Sequence, residues 1–332
     1  MRGRMVSKNI AEKKDSKLRK AAMITLTQCL GVTKKESVLI VMDKNTREIA
    51  HALFYTALGL ARRVSLVEIP VGKVNGEEPP KSIAAEMKKF DIVLCPTTKS
   101  LTHTNAVSAA RKKKARIATL PGITNDIFIR GMNADYKKIA ARTTKLWSKI
   151  RKGDIIRVTT EKGTDIILKV GVRANANSPE GFILNKGESN NLPAGEAFLV
   201  PAFRSANGVF VVDASMAGVG RLKKPIKITV KDGFAVKIEG GSEAEKLRKA
   251  LSPHGKNAYN IAELGIGTND QAKISGKILE DEKVLGTAHI ALGNSKGMGG
   301  PTYAGCHLDG VFMKPTITVG KNIIIKRGKL IN

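Results

Sequence analysis

The chain has 332 residues, 42% of them hydrophobic and only 4% aromatic, so a packed core is available and wholesale disorder is excluded, while stacking platforms for bases or sugars are scarce. Its 57 Lys and Arg against 29 Asp and Glu give a net charge of +28, which fits either contact with polyanions or a basic, solvated surface. Cys29, Cys95 and Cys306 lie far apart and include no CxxC pair, which excludes a disulfide framework and a structural zinc ribbon and predicts a reducing, cytoplasmic setting.

Residues 1–20 are basic and aperiodic and read as a flexible arm or the frayed start of a helix. Ala21–Val32 is apolar behind a basic start, like a signal peptide, but Thr25, Thr27 and Gln28 interrupt it and Lys34-Lys35 follows; it reads as an amphipathic helix. No stretch reaches the roughly 18 to 20 apolar residues of a membrane span. Ser37–Met42 (SVLIVM) is a continuous apolar run, the pattern of a strand covered on both faces. A turn at Asp43–Asn45 then leads to a helix over about Thr46–Arg62. Next come a strand at Val64–Ile69, a Pro- and Gly-containing loop at Pro70–Pro80 and a helix at Ser82–Lys89. A strand at Asp91–Cys95, a helix at His103–Lys112 and a strand at Ala115–Leu120 complete the series. Such alternation predicts a parallel sheet with crossover helices. Neither GxGxxG nor GxxxxGK[ST] follows the first strand, and Gly72 and Gly76 sit in a Pro-rich loop, so no dinucleotide is expected on this scaffold. The dense run Arg111–Lys114 falls at a helix C-terminus, where cations suit the dipole. Without an RRM, KH or helix-turn-helix signature, a non-catalytic nucleic-acid-binding role is the third choice among the functions considered.

Ala134–Ile150 predicts a helix that bridges to a second domain. Beyond Gly153, Asp154–Thr159 and Asp165–Val170 alternate like a hairpin. Further strands are expected at Phe198–Val200, Gly208–Val212, Ile226–Val230, Val236–Ile238, Thr287–Leu292, Ile317–Thr318 and Asn322–Lys326, with a helix at Glu243–Leu251. The expected architecture is α/β: the basic arm over 1–20, an N-terminal parallel-sheet, Rossmann-like domain over 21–150, and a C-terminal β-rich α+β domain over 151–332.

The chemistry-bearing residues concentrate in that second domain. In Gly305–Gly310 (GCHLDG), strand periodicity would put His307 and Asp309 on one face, a pair able to chelate zinc, manganese, cobalt or iron(II). His289 lies in an apolar, Gly-flanked run (GTAHIALG), where an unpartnered imidazole would be costly to bury. Glu196 heads an apolar strand after Pro193-Ala194-Gly195, and Glu263 stands between apolar neighbours in NIAELGIG. Together these five form a candidate two-metal shell, the bland alternative being salt bridges to lysines.

These segments resemble the thermophilic aminopeptidase T group of metallopeptidases, often labelled leucyl aminopeptidases, over most of the chain from about Ala21. The resemblance rests on Pro193–Val200, the Glu263 strand, Glu280-Asp281-Glu282 running into His289-Ile290-Ala291-Leu292-Gly293, and His307-Leu308-Asp309. Thr104–Arg111 and Ala118–Ile123 (ATLPGI) also fit. It implies two divalent ions, zinc, cobalt or manganese, about 3.5–4 Å apart and holding a hydroxide, with Glu196, Glu263, His289, His307 and Asp309 as ligands. It also implies removal of N-terminal residues from peptides, a carboxylate that shuttles the proton, and a homodimer. The general base is unassigned; Asp281 and Glu282 are candidates, but their run reads more simply as a solvated acidic turn. The family's tyrosine after the His strand is missing, the stretch here being Asn294-Ser295-Lys296-Gly297, with Tyr303 further on. Ring-cleaving dioxygenases of dihydroxypyridine are similar to the same superfamily. They imply the alternative: one non-haem iron(II) on His289, His307 and Asp309, acting on a small aromatic molecule.

Overall fold

The computed structural model describes residues 14–151, 155–171 and 181–331. Residues 1–13 of the expected arm, and Asp154 at the head of the expected hairpin, lie outside them. The chain forms two compact units, one of residues 1–137 with 181–194, the other of residues 138–180 with 195–332.

The first unit is built on a five-stranded parallel sheet. Its spatial order is Arg63–Glu68, Ser37–Met42, Ile92–Thr97, Arg116–Pro121 and Ser189–Asn191. The first chain strand is flanked by the second and third, the arrangement of an open doubly wound sheet. Every residue of Ser37–Met42 and of Ile92–Thr97 is buried. Covering on both faces is why these segments read as unbroken apolar runs rather than as alternation. Helices Arg47–Leu58, Lys81–Met87 and Asn105–Lys112 supply the connections. The last of them starts at Thr104, whose hydroxyl accepts the Val107 N–H, and ends on Arg111 and Lys112. Residues 14–24 are α-helical and continue into a π-helical turn at Thr25–Cys29. Leu18, Ala21, Ala22, Leu26 and Leu30 are buried along this segment, the stripe expected of an amphipathic helix.

The second unit holds two antiparallel sheets. Eight strands make the larger one, in the order Phe234–Glu239, Ile226–Lys231, Asn207–Val212, Asp165–Lys169, Ile155–Thr159, Thr316–Val319, Asn322–Lys326 and Lys329–Leu330. The smaller has six, in the order Gly220–Arg221, Ser215–Met216, His307–Met313, Thr287–Gly293, Ile261–Gly267 and Glu196–Leu199. Ile166, Leu168, Phe210, Ile226 and Ile228 from the first sheet join Leu264, Ile266, Ile290, Leu292 and Phe312 from the second in one apolar core. The adjacent inner strands Ile261–Gly267 and Thr287–Gly293 are buried at every position. Leu264, Ile266, Ile290 and Leu292 enter that core, so Glu263, Gly265, His289 and Ala291 belong to the opposite face. The expected α/β class, with a parallel sheet in the first part and a β-rich second part, is the one observed. Among the described residues no helix is long and apolar enough to cross a membrane.

Candidate metal centre

Register on the six-stranded sheet decides which side chains meet. His289 pairs with Gly265 on one side and Val311 on the other. Ala291, two residues on, lies between Glu263 and Asp309; Gly293 lies opposite His307; Gly267 lies opposite Glu196. Four strands therefore present Glu196, Glu263, His289, His307 and Asp309 on a single face, interleaved with Gly265, Gly267, Ala291 and Gly293. The small residues leave the space that the donors fill. At Gly265 a Cβ would fall 2.0 Å from His289 Nε2, so the imidazole lies directly over that glycine.

The five residues singled out in the sequence thus converge. His307 Nε2 is 3.2 Å from Glu263 Oε2 and 3.4 Å from Asp309 Oδ1. His289 Nε2 is 3.5 Å from Glu196 Oε2 and 3.6 Å from Glu263 Oε1. At these separations His289 makes no hydrogen bond, and both of its ring nitrogens and Glu196 Oε2 are buried without a hydrogen-bond partner. Donors bound about 2.1 Å from a common cation lie roughly 3.0–3.4 Å apart, close to the spacings found here. Orphaned, buried imidazole nitrogens beside carboxylates are the donor set a cation would complete. Among the described residues, the groups that can hold an ion are Glu263, His307 and Asp309, and, beside them, Glu196, Glu282 and His289. His307 Nδ1 lies 2.8 Å from the Asn294 carbonyl, which accepts its N–H and so directs Nε2 at the carboxylates.

The acidic run before the His289 strand corrects one expectation. It is not a solvated turn: Glu280, Asp281 and Glu282 are all buried. Asp281 is spent on structure, accepting the backbone N–H groups of Ser275 at 2.6 Å and Gly276 at 2.9 Å. Glu282 reaches the centre together with Lys283, whose Nζ is 2.6 Å from Glu196 Oε1 and 2.5 Å from Glu282 Oε1. Lys283 was not singled out in the sequence. The available signal was the apolar flank on both sides of the charged run, Ile278-Leu279 before it and Val284-Leu285 after it. Tyr303 is 67% exposed and is no substitute for the missing tyrosine.

Electrostatics follow from the crowding. Burial alone would push His289 down, but the Glu263 carboxylate beside it and the charges of Glu196 and Asp309 outweigh this and raise it to about 9. Burial would also lower His307, yet Asp309 and Glu263 hold it well above the usual imidazole value. Glu263 is the mirror case: burial would raise it, and the two imidazoles bring it far below the carboxylate range. Burial, with Glu196 and Asp309 nearby, lifts Glu282 to about 8 against the pull of Lys283. In the metal-free protein the raised His289 and Glu282 bind protons more tightly when folded than when unfolded. Their stabilisation is complete below their ordinary values and is lost as the pH rises through about 8 and 9. Urea denaturation of chelator-treated protein is expected to show a lower midpoint at pH 9 than at pH 6. A His289→Asn variant should show a smaller drop.

Comparison with known proteins places this geometry. Residues 17–332 match the family model of NicX, 2,5-dihydroxypyridine 5,6-dioxygenase. The chain belongs to this family. Its expected place among aminopeptidases is thereby corrected: the NicX family is one of oxygenases, and hydrolase, protease and peptide-substrate expectations fall with it. The resemblance had registered a fold that the two groups share. The structure of 2,5-dihydroxypyridine dioxygenase from Pseudomonas putida KT2440 superposes with a TM-score of 0.82 at 19% identity, covering 96% of this chain and 97% of that one. Wild-type AmpT from Thermus thermophilus superposes with a TM-score of 0.71 at 14% identity, covering 96% and 99%. At these identities the likeness is one of fold. A search of curated proteins gives no match.

Proposed function

We propose that this NicX-family chain is a metal-dependent, ring-cleaving dioxygenase acting on a small dihydroxylated aromatic molecule of the dihydroxypyridine kind. One observation carries the reading: two imidazoles and two carboxylates, His289, His307, Glu263 and Asp309, converge on one buried sheet face in a chain matched to this family over residues 17–332. Neutral nitrogen with carboxylate oxygen and no thiolate suits iron(II). Bound iron(II) would supply the one-electron chemistry that oxygen needs to react with a closed-shell ring.

The chain's own contributions are binding, orientation and exclusion of water. Asn294 fixes the His307 tautomer through its carbonyl. Glu263, His289 and Asp309 are buried, whereas the His307 side chain is 28% exposed and marks the side open to substrate. Lys283 neutralises part of the carboxylate charge and keeps Glu196 and Glu282 ordered. Ring cleavage by a dioxygenase consumes one oxygen molecule per ring opened. Protein loaded anaerobically with iron(II) is expected to take up oxygen on addition of 2,5-dihydroxypyridine, in a one-to-one ratio with loss of the ring absorbance. Iron-loaded protein that takes up no oxygen with any dihydroxypyridine would overturn the reading.

A further inference from the structure

The centre contains more ligand atoms than one cation uses. Glu263 faces two ways, with Oε2 at 3.2 Å from His307 and Oε1 at 3.6 Å from His289. On the His307 side Glu263, His307 and Asp309 form one potential ligand group; on the other side Glu196, Glu282 and His289 form a second. In chemical type the second group would serve a divalent ion as well as the first. The difference is Lys283. Its ammonium lies against both carboxylates of the second group, and its side chain is only 3% exposed.

We infer that Lys283 occupies the position of a second metal ion and thereby makes the centre mononuclear. The inference rests on the proposed metal-dependent function and adds to it the residue that keeps the second ligand group from taking an ion. Charge and geometry agree. Glu196, Glu263, Glu282 and Asp309 bring four carboxyl groups, at most four negative charges, to one buried face. The ammonium and one divalent ion already supply three positive charges against them. A second ion would leave the buried cluster with excess positive charge and would sit in contact with an ammonium held by the same oxygens. The ammonium has three N–H donors and no acceptor, so it satisfies carboxylate oxygens as a cation would but offers no open coordination position. His289 makes no hydrogen bond to these groups and lies 3.6 Å from Glu263 Oε1, within reach of the ion on the Glu263 side. The lysine would thus leave one ion with the open positions that a ring-cleaving oxygenase needs.

Metal stoichiometry tests this without reference to turnover. The protein is incubated anaerobically with iron(II), or with excess manganese(II), then desalted and analysed for metal per chain. Wild type is expected to retain one ion under both conditions. Lys283→Met is expected to retain two, and Lys283→Arg, which keeps the charge, is expected to retain one. Two ions in wild type would overturn the inference, as would a natively folded Lys283→Met that still holds one. Should the methionine variant not fold, the wild type in excess manganese(II) decides by itself. A wild type that binds no ion at all would instead remove the metal centre, and the proposed function with it.

Discussion

Replacing His307 by alanine is expected to weaken metal binding at least about a hundredfold and to abolish the proposed ring-opening activity, with the fold intact. Loss of a hydrogen-bond partner behind a metal ligand already costs about 10- to 100-fold in affinity, and removal of the ligand itself should lie at or beyond the upper end. His307 is the link between the two carboxylates of its group, 3.2 Å from Glu263 and 3.4 Å from Asp309, and the Asn294 carbonyl holds its ring in position. Its partly exposed side chain stands at the beginning of its strand, opposite Gly293, so truncation opens a space that water can enter. The measurement is metal content after anaerobic loading, paired with thermal unfolding of the metal-free protein. Full metal content in a folded His307→Ala protein would remove His307 from the centre. Unfolding of the metal-free variant many degrees below wild type would make its role structural.

The legibility of this centre in the sequence follows from strand periodicity. His307 and Asp309 lie two apart and face the same way, and the structure shows both at Glu263 and beside each other. His289 was legible because an imidazole inside TAHIALG has no solvent to turn to. Lys283 was not legible, because Glu-Asp-Glu-Lys beside a helix end has the composition of a solvated turn, and only tertiary contacts bury it. The fifth parallel strand, Ser189–Asn191, escaped for a related reason: three polar residues have no apolar period, and they join the sheet at its edge. Helix Asn125–Met132 is eight residues long and begins just after Pro121-Gly122, so it was lost in what reads as a turn. The choice between peptidase and oxygenase had the same root. The two groups share a fold, and the resemblance implied imidazole and carboxylate ligands for both, so the ligand types alone did not separate them, and the missing tyrosine was the sequence feature that pointed away from the peptidase.

Gly265→Ala probes the other half of the centre and is expected to weaken metal binding at least about tenfold, with destabilisation of about 1–3 kcal/mol. The added Cβ would lie 2.0 Å from His289 Nε2 and 2.2 Å from its Cε1, so the ring must move. The backbone has little room to yield, because Gly265 is paired with Phe198 on one side and His289 on the other, with neighbouring strands on both sides. Moving the ring takes Nε2 away from Glu263 Oε1 and Glu196 Oε2, the atoms that define its side of the centre. Gly59→Ala is a suitable control, since its Cβ would meet its nearest neighbour, the Thr56 carbonyl oxygen, at an ordinary 3.6 Å. Elemental analysis and urea denaturation of both variants separate the outcomes. Loss of metal with modest loss of stability at Gly265, and neither at Gly59, would fix His289 as a ligand. Wild-type metal content in Gly265→Ala would mean that His289 Nε2 is not needed by the ion, leaving Glu263, His307 and Asp309 to hold it alone.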